Sequence, residues 1–93
     1  MKKKIADWFD GDSGIFSDGT EFRLSNVRAQ EKYQFGGRKA ARTVVGMTNR
    51  SNGWVSWKPV ALDIYGRQVG VMSNHDGSIN RRMKAKGYSN KGR

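Results

Sequence analysis

Asp10-Gly11-Asp12-Ser13-Gly14-Ile15-Phe16, then Asp18-Gly19-Thr20, then Phe22-Arg23-Leu24-Ser25-Asn26-Val27-Arg28-Ala29-Gln30-Glu31, is the stretch on which the reading of this chain turns. Asp18-Gly19 is a strong two-residue turn signal between alternating runs, and it predicts a hairpin of Ser13–Phe16 with residues 20–27. Alternation along these strands turns Ile15, Phe22, Leu24 and Val27 inward and puts Arg23 on the opposite face. In a closed barrel that outer face is able to line a ligand groove. The stretch is also acidic. Four of the eight carboxylates lie between Asp7 and Asp18, in a chain of formal net charge +10. The turn accounts for Asp18. Asp10 and Asp12 instead flank a glycine that breaks the first strand, where clustered carboxylate oxygens suit a hard cation such as Ca²⁺ or Mg²⁺.

Eighteen Lys and Arg against eight acids favour a polyanionic partner, single-stranded or double-stranded nucleic acid before membrane. A membrane-surface role needs a basic amphipathic helix with large apolar residues opposite, and the sequence contains none. Ninety-three residues make one small domain with one modest core. Residues 1–4 read as a basic N-terminal tail, 5–88 as the domain and 89–93 as a flexible basic tail. Without cysteine there is neither a disulfide framework nor a thiolate zinc site. No run is long and apolar enough to span a bilayer. Met1-Lys2-Lys3-Lys4 is not followed by the apolar run of a signal peptide, so a cytoplasmic location is expected.

Residues 5–9 form a plausible first strand. Gly36-Gly37 opens a helix in which Ala40, Ala41, Val44, Val45 and Thr48 make the buried stripe, with Arg38, Lys39 and Arg42 on the wet side. Gly36-Gly37 has no strand before it and no Gly-Lys-Ser after it, so it reads as a helix entry rather than a phosphate loop. Ser51-Asn52-Gly53 ends that helix. Trp54–Leu62 is rich in β-formers, with Pro59 at an edge or bulge. Trp54 and Trp57 cannot share a face without a bulge, so one belongs in the core and the other outside, where it can stack on a base. Residues 69–73 make the last strand with Val69 and Val71 inward. His75-Asp76-Gly77 is a turn, and His75 is a solvated turn residue. Ser78 caps a short helix with Ile79 and Met83 on its apolar face and Gly87 as its stop. Arg81, Arg82, Lys84 and Lys86 give that helix a basic face suited to phosphate.

Three segments in order, Asp10-Gly11-Asp12-Ser13, Phe22-Arg23-Leu24 with Glu31 behind it, and Asp63-Ile64-Tyr65-Gly66-Arg67, resemble the motifs of the thermonuclease (staphylococcal nuclease-like) family. The resemblance covers roughly residues 5–88 and is to a member short at its C-terminus. It implies an α+β, mainly β fold: a single OB-fold five-stranded barrel with two short helices. It also implies phosphodiester hydrolysis, with endonuclease and exonuclease action both open. By the resemblance Asp12 is a metal ligand with Asp10 in support, Arg23 and Arg67 clamp the phosphate, and Glu31 orients or deprotonates the attacking water. The chain departs from the family at Arg28, which stands where a second metal-ligating aspartate is expected. An arginine within about 4 Å of a divalent ion is repelled by roughly 8 kcal/mol at an effective dielectric of 20. Three readings follow: a nuclease using a weakly held Mg²⁺ or Ca²⁺; a metal-independent nuclease in which Arg23, Arg28 and Arg67 form a phosphate pocket; or a barrel that binds nucleic acid without cutting it. Neither oligomeric state nor a preference for DNA or RNA is legible.

Overall fold

The computed structural model describes residues 1–30 and 34–89. Its strands are β1 (Lys2–Asp10), β2 (Ser13–Phe16), β3 (Glu21–Leu24), β4 (Trp54–Leu62), β5 (Gln68–Asn74) and β6 (Gly77–Ser78). Helix α1 (Gly37–Asn49) lies between β3 and β4, and α2 (Ile79–Ala85) follows β6. The sheet runs β3-β2-β1-β4-β5-β6, and β3 also pairs with β5 in parallel, so five strands close into a ring. That order, with the parallel closure and a helix between β3 and β4, is a five-stranded OB-type barrel.

Local chemistry makes the turns. At the β2–β3 hairpin the Asp18 carboxylate accepts the Thr20 N–H at 2.9 Å and pairs with Lys3. The β4 register shifts between Pro59 and Ala61, a bulge where the proline has no N–H to give the ladder. Ser78 accepts the Arg81 N–H at 3.1 Å and so caps α2.

The core gathers inside the ring around aromatic rings. Phe16 stacks on Phe22 at 4.4 Å, with Trp8 and Trp57 edge-on to them at 5.0 and 5.2 Å. Such pairs add about 0.5–1.5 kcal/mol each beyond their buried area. The buried Trp8 Nε1–H donates to Thr48 Oγ1 at 3.2 Å, which ties β1 to α1. The Asn80 side chain, 3 % exposed, accepts the Met72 N–H and donates to the carbonyls of Ser25 and Gly70. One buried amide thus joins α2, β5 and the end of β3.

Phe22, Leu24 and Val27 face inward as the sequence predicts, and Trp57 is core while Trp54 is exposed. Other assignments are corrected. Lys2, Lys3 and Lys4 are not a tail: they pair with Ser56, Val55 and Trp54 as the first residues of β1. In β2 it is Phe16, not Ile15, that enters the core, because Gly14 pairs with Phe22 and shares its face. In β5 Gly70 and Met72 are buried, while Val69 is half-buried and Val71 is 37 % exposed. Pairing with Trp57 decides this register: its ring atom Cζ2 lies 2.9 Å from where a Cβ on residue 70 would sit. Met47 takes the place expected for Val45 on the buried face of α1. Ser89 bridges Val27 rather than belonging to a tail, and residues 90–93 lie outside the described residues. No helix among the described residues is long and apolar enough to cross a membrane.

Candidate phosphate-binding cleft

A cleft of about 590 Å³ opens on the outer face of the barrel where the end of β1, β3 and the β4–β5 loop meet. Three carboxylates, Asp10, Asp12 and Asp63, and three guanidiniums, Arg23, Arg28 and Arg67, line it.

Asp10 ends β1 and Asp12 sits in the turn that follows. The glycine between them is needed for a close approach. A Cβ at Gly11 would stand 2.7 Å from the Ala40 Cβ and 2.9 Å from the Ala29 Cβ. The turn therefore lies directly against α1 and against the segment after β3. That contact orients Asp12: its carbonyl accepts the Leu24 N–H at 2.8 Å, and its Oδ2 accepts the Ala29 N–H at 3.2 Å. Burial pushes the Asp12 carboxyl above its ordinary value; the Ala29 N–H and the Arg23 charge pull it down, Asp10 pushes it up, Arg67 pulls it down, and burial wins.

Arg23 reaches the cleft because β3 alternates. Its neighbours Phe22 and Leu24 are buried, and it pairs with Ser13, also at the cleft. Arg67 arrives by a different device. In the β4–β5 loop Asp63 Oδ1 accepts the N–H groups of Tyr65 and Arg67, both at 2.9 Å, and its Oδ2 accepts Arg67 Nε–H at 2.7 Å. The Arg67 guanidinium also lies over the Tyr65 ring, 5.4 Å from its centroid. Partial burial pushes the Asp63 carboxyl up, but hydrogen bonds from Arg67 and Tyr65 and the Arg67 charge outweigh it and hold it below the usual range. Asp63 stands in a quoted motif, but no role falls to it from the sequence alone. Its signal was an aspartate four residues before an arginine across a Tyr-Gly turn.

Arg28 lines the cleft but is exposed, and its backbone N–H donates to the Tyr88 carbonyl at 2.9 Å. The cations that act on the Asp12 carboxyl are Arg23 and Arg67. Glu31, which carries the expected proton-accepting role, lies outside the described residues. Arg81, Arg82, Lys84 and Lys86 do not line the cleft. Arg82 also leaves the exposed basic face: it is half-buried, and its charge acts on Asp76. Among the described residues no group of three or more His, Cys, Asp or Glu side chains is placed to hold a metal ion. Asp63 is the cleft carboxylate fastened to Arg67, and Asp12 accepts the Ala29 N–H.

Two guanidiniums with carboxylates beside them can take the oxygens of an anion such as a phosphate diester. No family model matches the chain, and no curated protein matches it.

Proposed function

We propose that this protein is a nuclease that hydrolyses phosphodiester bonds of DNA or RNA in the Asp12–Arg23–Arg67 cleft. One observation carries the reading: Asp12, Arg23 and Arg67, from three separate stretches of sequence, converge on one concave surface of a strongly basic barrel. Arg23 and Arg67 neutralise the phosphate charge that builds up as water attacks phosphorus and the ester P–O bond breaks. Glu31 takes the proton of that water, and the leaving oxygen is protonated from solvent. Asp12, with Asp10, would hold a divalent ion, Mg²⁺ or Ca²⁺, that supplies further charge neutralisation when bound. Two carboxylates with water completing the shell is a set that Mg²⁺ accepts. The same cleft also supports the metal-independent form, in which Arg28 adds a third cation.

A second reading is a barrel that binds nucleic acid without cutting it. Arg28 favours it, because an arginine lining the cleft raises affinity for phosphate while repelling a divalent ion. Cleavage of labelled single-stranded DNA and RNA in EDTA, in Mg²⁺ and in Ca²⁺ separates the readings. A nuclease cuts in at least one of these conditions, and Arg23→Lys and Arg67→Lys each lose about tenfold or more in turnover with unchanged melting temperature, because Lys cannot reproduce the planar fork. Binding with no cleavage in any condition leaves the binder. Equal activity in both Lys variants removes these arginines from the site.

A further inference from the structure

At the other end of the barrel, β1, β4 and β5 present a second face. Lys2 pairs with Ser56 and Lys4 with Trp54, and Lys58 follows on the same side of β4. All five side chains are exposed, while Val55 and Trp57 between them are buried. The three segments that build this face, residues 2–4, 54–58 and 71–74, contain no Asp or Glu. The acid in the next turn, Asp76, is held by Arg50. Trp54 is 46 % exposed, with the Lys4 ammonium 5.9 Å from its ring centroid. A groove of about 570 Å³ runs along it between Lys2, Trp54, Ser56 and His75.

We propose that this face is a docking surface for single-stranded nucleic acid, separate from the cleft. The exposed indole offers a flat π-face on which a base can stack. Lysines on both sides, with no carboxylate in residues 2–4, 54–58 or 71–74, select a polyanion as its partner. A single strand supplies both parts the surface asks for: an unpaired base to stack on the indole and phosphates for the lysines. A duplex hides its base faces, and a lipid headgroup has none. The face stands at the Lys2 end of β1 and the cleft at the Asp10 end, about 26 Å away by strand rise. The inference shares with the cleft reading only the class of ligand, and it holds whether or not the cleft cuts.

Trp8 and Trp57 are 4 % and 0 % exposed, so quenching of tryptophan emission by iodide reports on Trp54. The probe is an oligothymidylate of about 16 nucleotides, titrated in EDTA. It is expected to shield Trp54 from iodide. Trp54→Ala is expected to weaken binding by about 5- to 150-fold, and Trp54→Phe to restore part of that loss. Lys2→Gln and Lys58→Gln should each shallow the dependence of log affinity on log salt by about 0.7. The Arg23→Ala cleft variant should keep the shielding, which separates this surface from the cleft. An oligonucleotide that binds without shielding Trp54, and equally well to Trp54→Ala, overturns the proposal even if the cleft proves to be a nuclease. So does tighter binding of a duplex, or of phosphatidylglycerol vesicles, than of the single strand.

Discussion

At the Asp10 end of β1 cations and acids are mixed: Arg67 is fastened by Asp63, and Arg23 acts on the half-buried Asp12 through its charge. At the Lys2 end, residues 2–4 of β1 and 54–58 of β4 carry lysines with no acid among them and an exposed tryptophan. Mixed charge in a concavity gives orientation, because Asp63 pins the Arg67 guanidinium before any ligand arrives. Uniform charge on an open face gives attraction without orientation. The first suits chemistry on one phosphate, which needs groups aimed within a fraction of an ångström. The second suits retention of a strand in many registers. One barrel can offer both surfaces because strands β1, β4 and β5 have two ends.

Removing the fastening should have the largest effect. Asp63→Ala leaves Arg67 in place but takes away the acceptor of the Tyr65 and Arg67 N–H groups and of Arg67 Nε–H. If the cleft cuts as proposed, cleavage is expected to fall roughly 10- to 100-fold, while shielding of Trp54 by the oligonucleotide is unchanged. Unchanged cleavage would mean that Arg67 needs no anchor, and the contrast between a pinned end and an open one would collapse.

Packing behind the cleft gives the next largest effect. Gly11→Ala forces a methyl group into contact with Ala40 and Ala29, an overpacking that costs about 1–3 kcal/mol. Several degrees should be lost from the melting temperature. Gly46, in mid-helix with open space around it, is the control: Gly46→Ala should stabilise by up to about 1 kcal/mol. Thermal melts of both variants check the pair, and a Gly11→Ala protein as stable as wild type would contradict the close approach.

Asp12 tests whether the cleft is bought with stability. Burial raises its folded-state value above the ordinary 3.8, so its ionised form costs the folded protein free energy. That cost is absent below the unfolded value and present once pH exceeds the folded one. In EDTA at neutral pH, Asp12→Asn should therefore melt higher than wild type, and the gain should vanish as melts are taken below 3.8. A lower melting temperature at neutral pH would mean that Arg23 and Arg67 need the Asp12 charge more than burial penalises it. The smallest shift belongs to Asp18, outside both regions. The hydrogen bond from Lys3 and those from Thr20 hold its carboxyl at about 2. Its contribution is present above 3.8 and lost as pH falls toward 2, so Asp18→Asn should lower the melting temperature slightly at neutral pH and not at all at the acid end.

Much of this molecule is legible in the sequence because it is decided over a few neighbouring residues. Asp18-Gly19 makes its hairpin, Gly36-Gly37 opens α1, Ser78 caps α2, and Pro59 sits at a bulge for reasons contained within one turn of chain. The split between Trp54 and Trp57 and the outward face of Arg23 follow from the two-residue period of a strand. The convergence of Asp12, Arg23 and Arg67 was readable only through the order of three motifs, since no local rule brings residues so far apart together. What the tertiary structure alone decided is which of two equally patterned faces turns inward. Ile15, Val69 and Val71 have the apolarity of core residues, yet Phe16, Gly70 and Met72 take those places, because the Phe22 and Trp57 rings across the barrel set the register. It also decided that the lysines at the chain's start are a strand, and that one buried Asn80 amide holds three elements together. A turn is settled by its own backbone and caps, whereas a register is settled by the volume of side chains contributed from other strands.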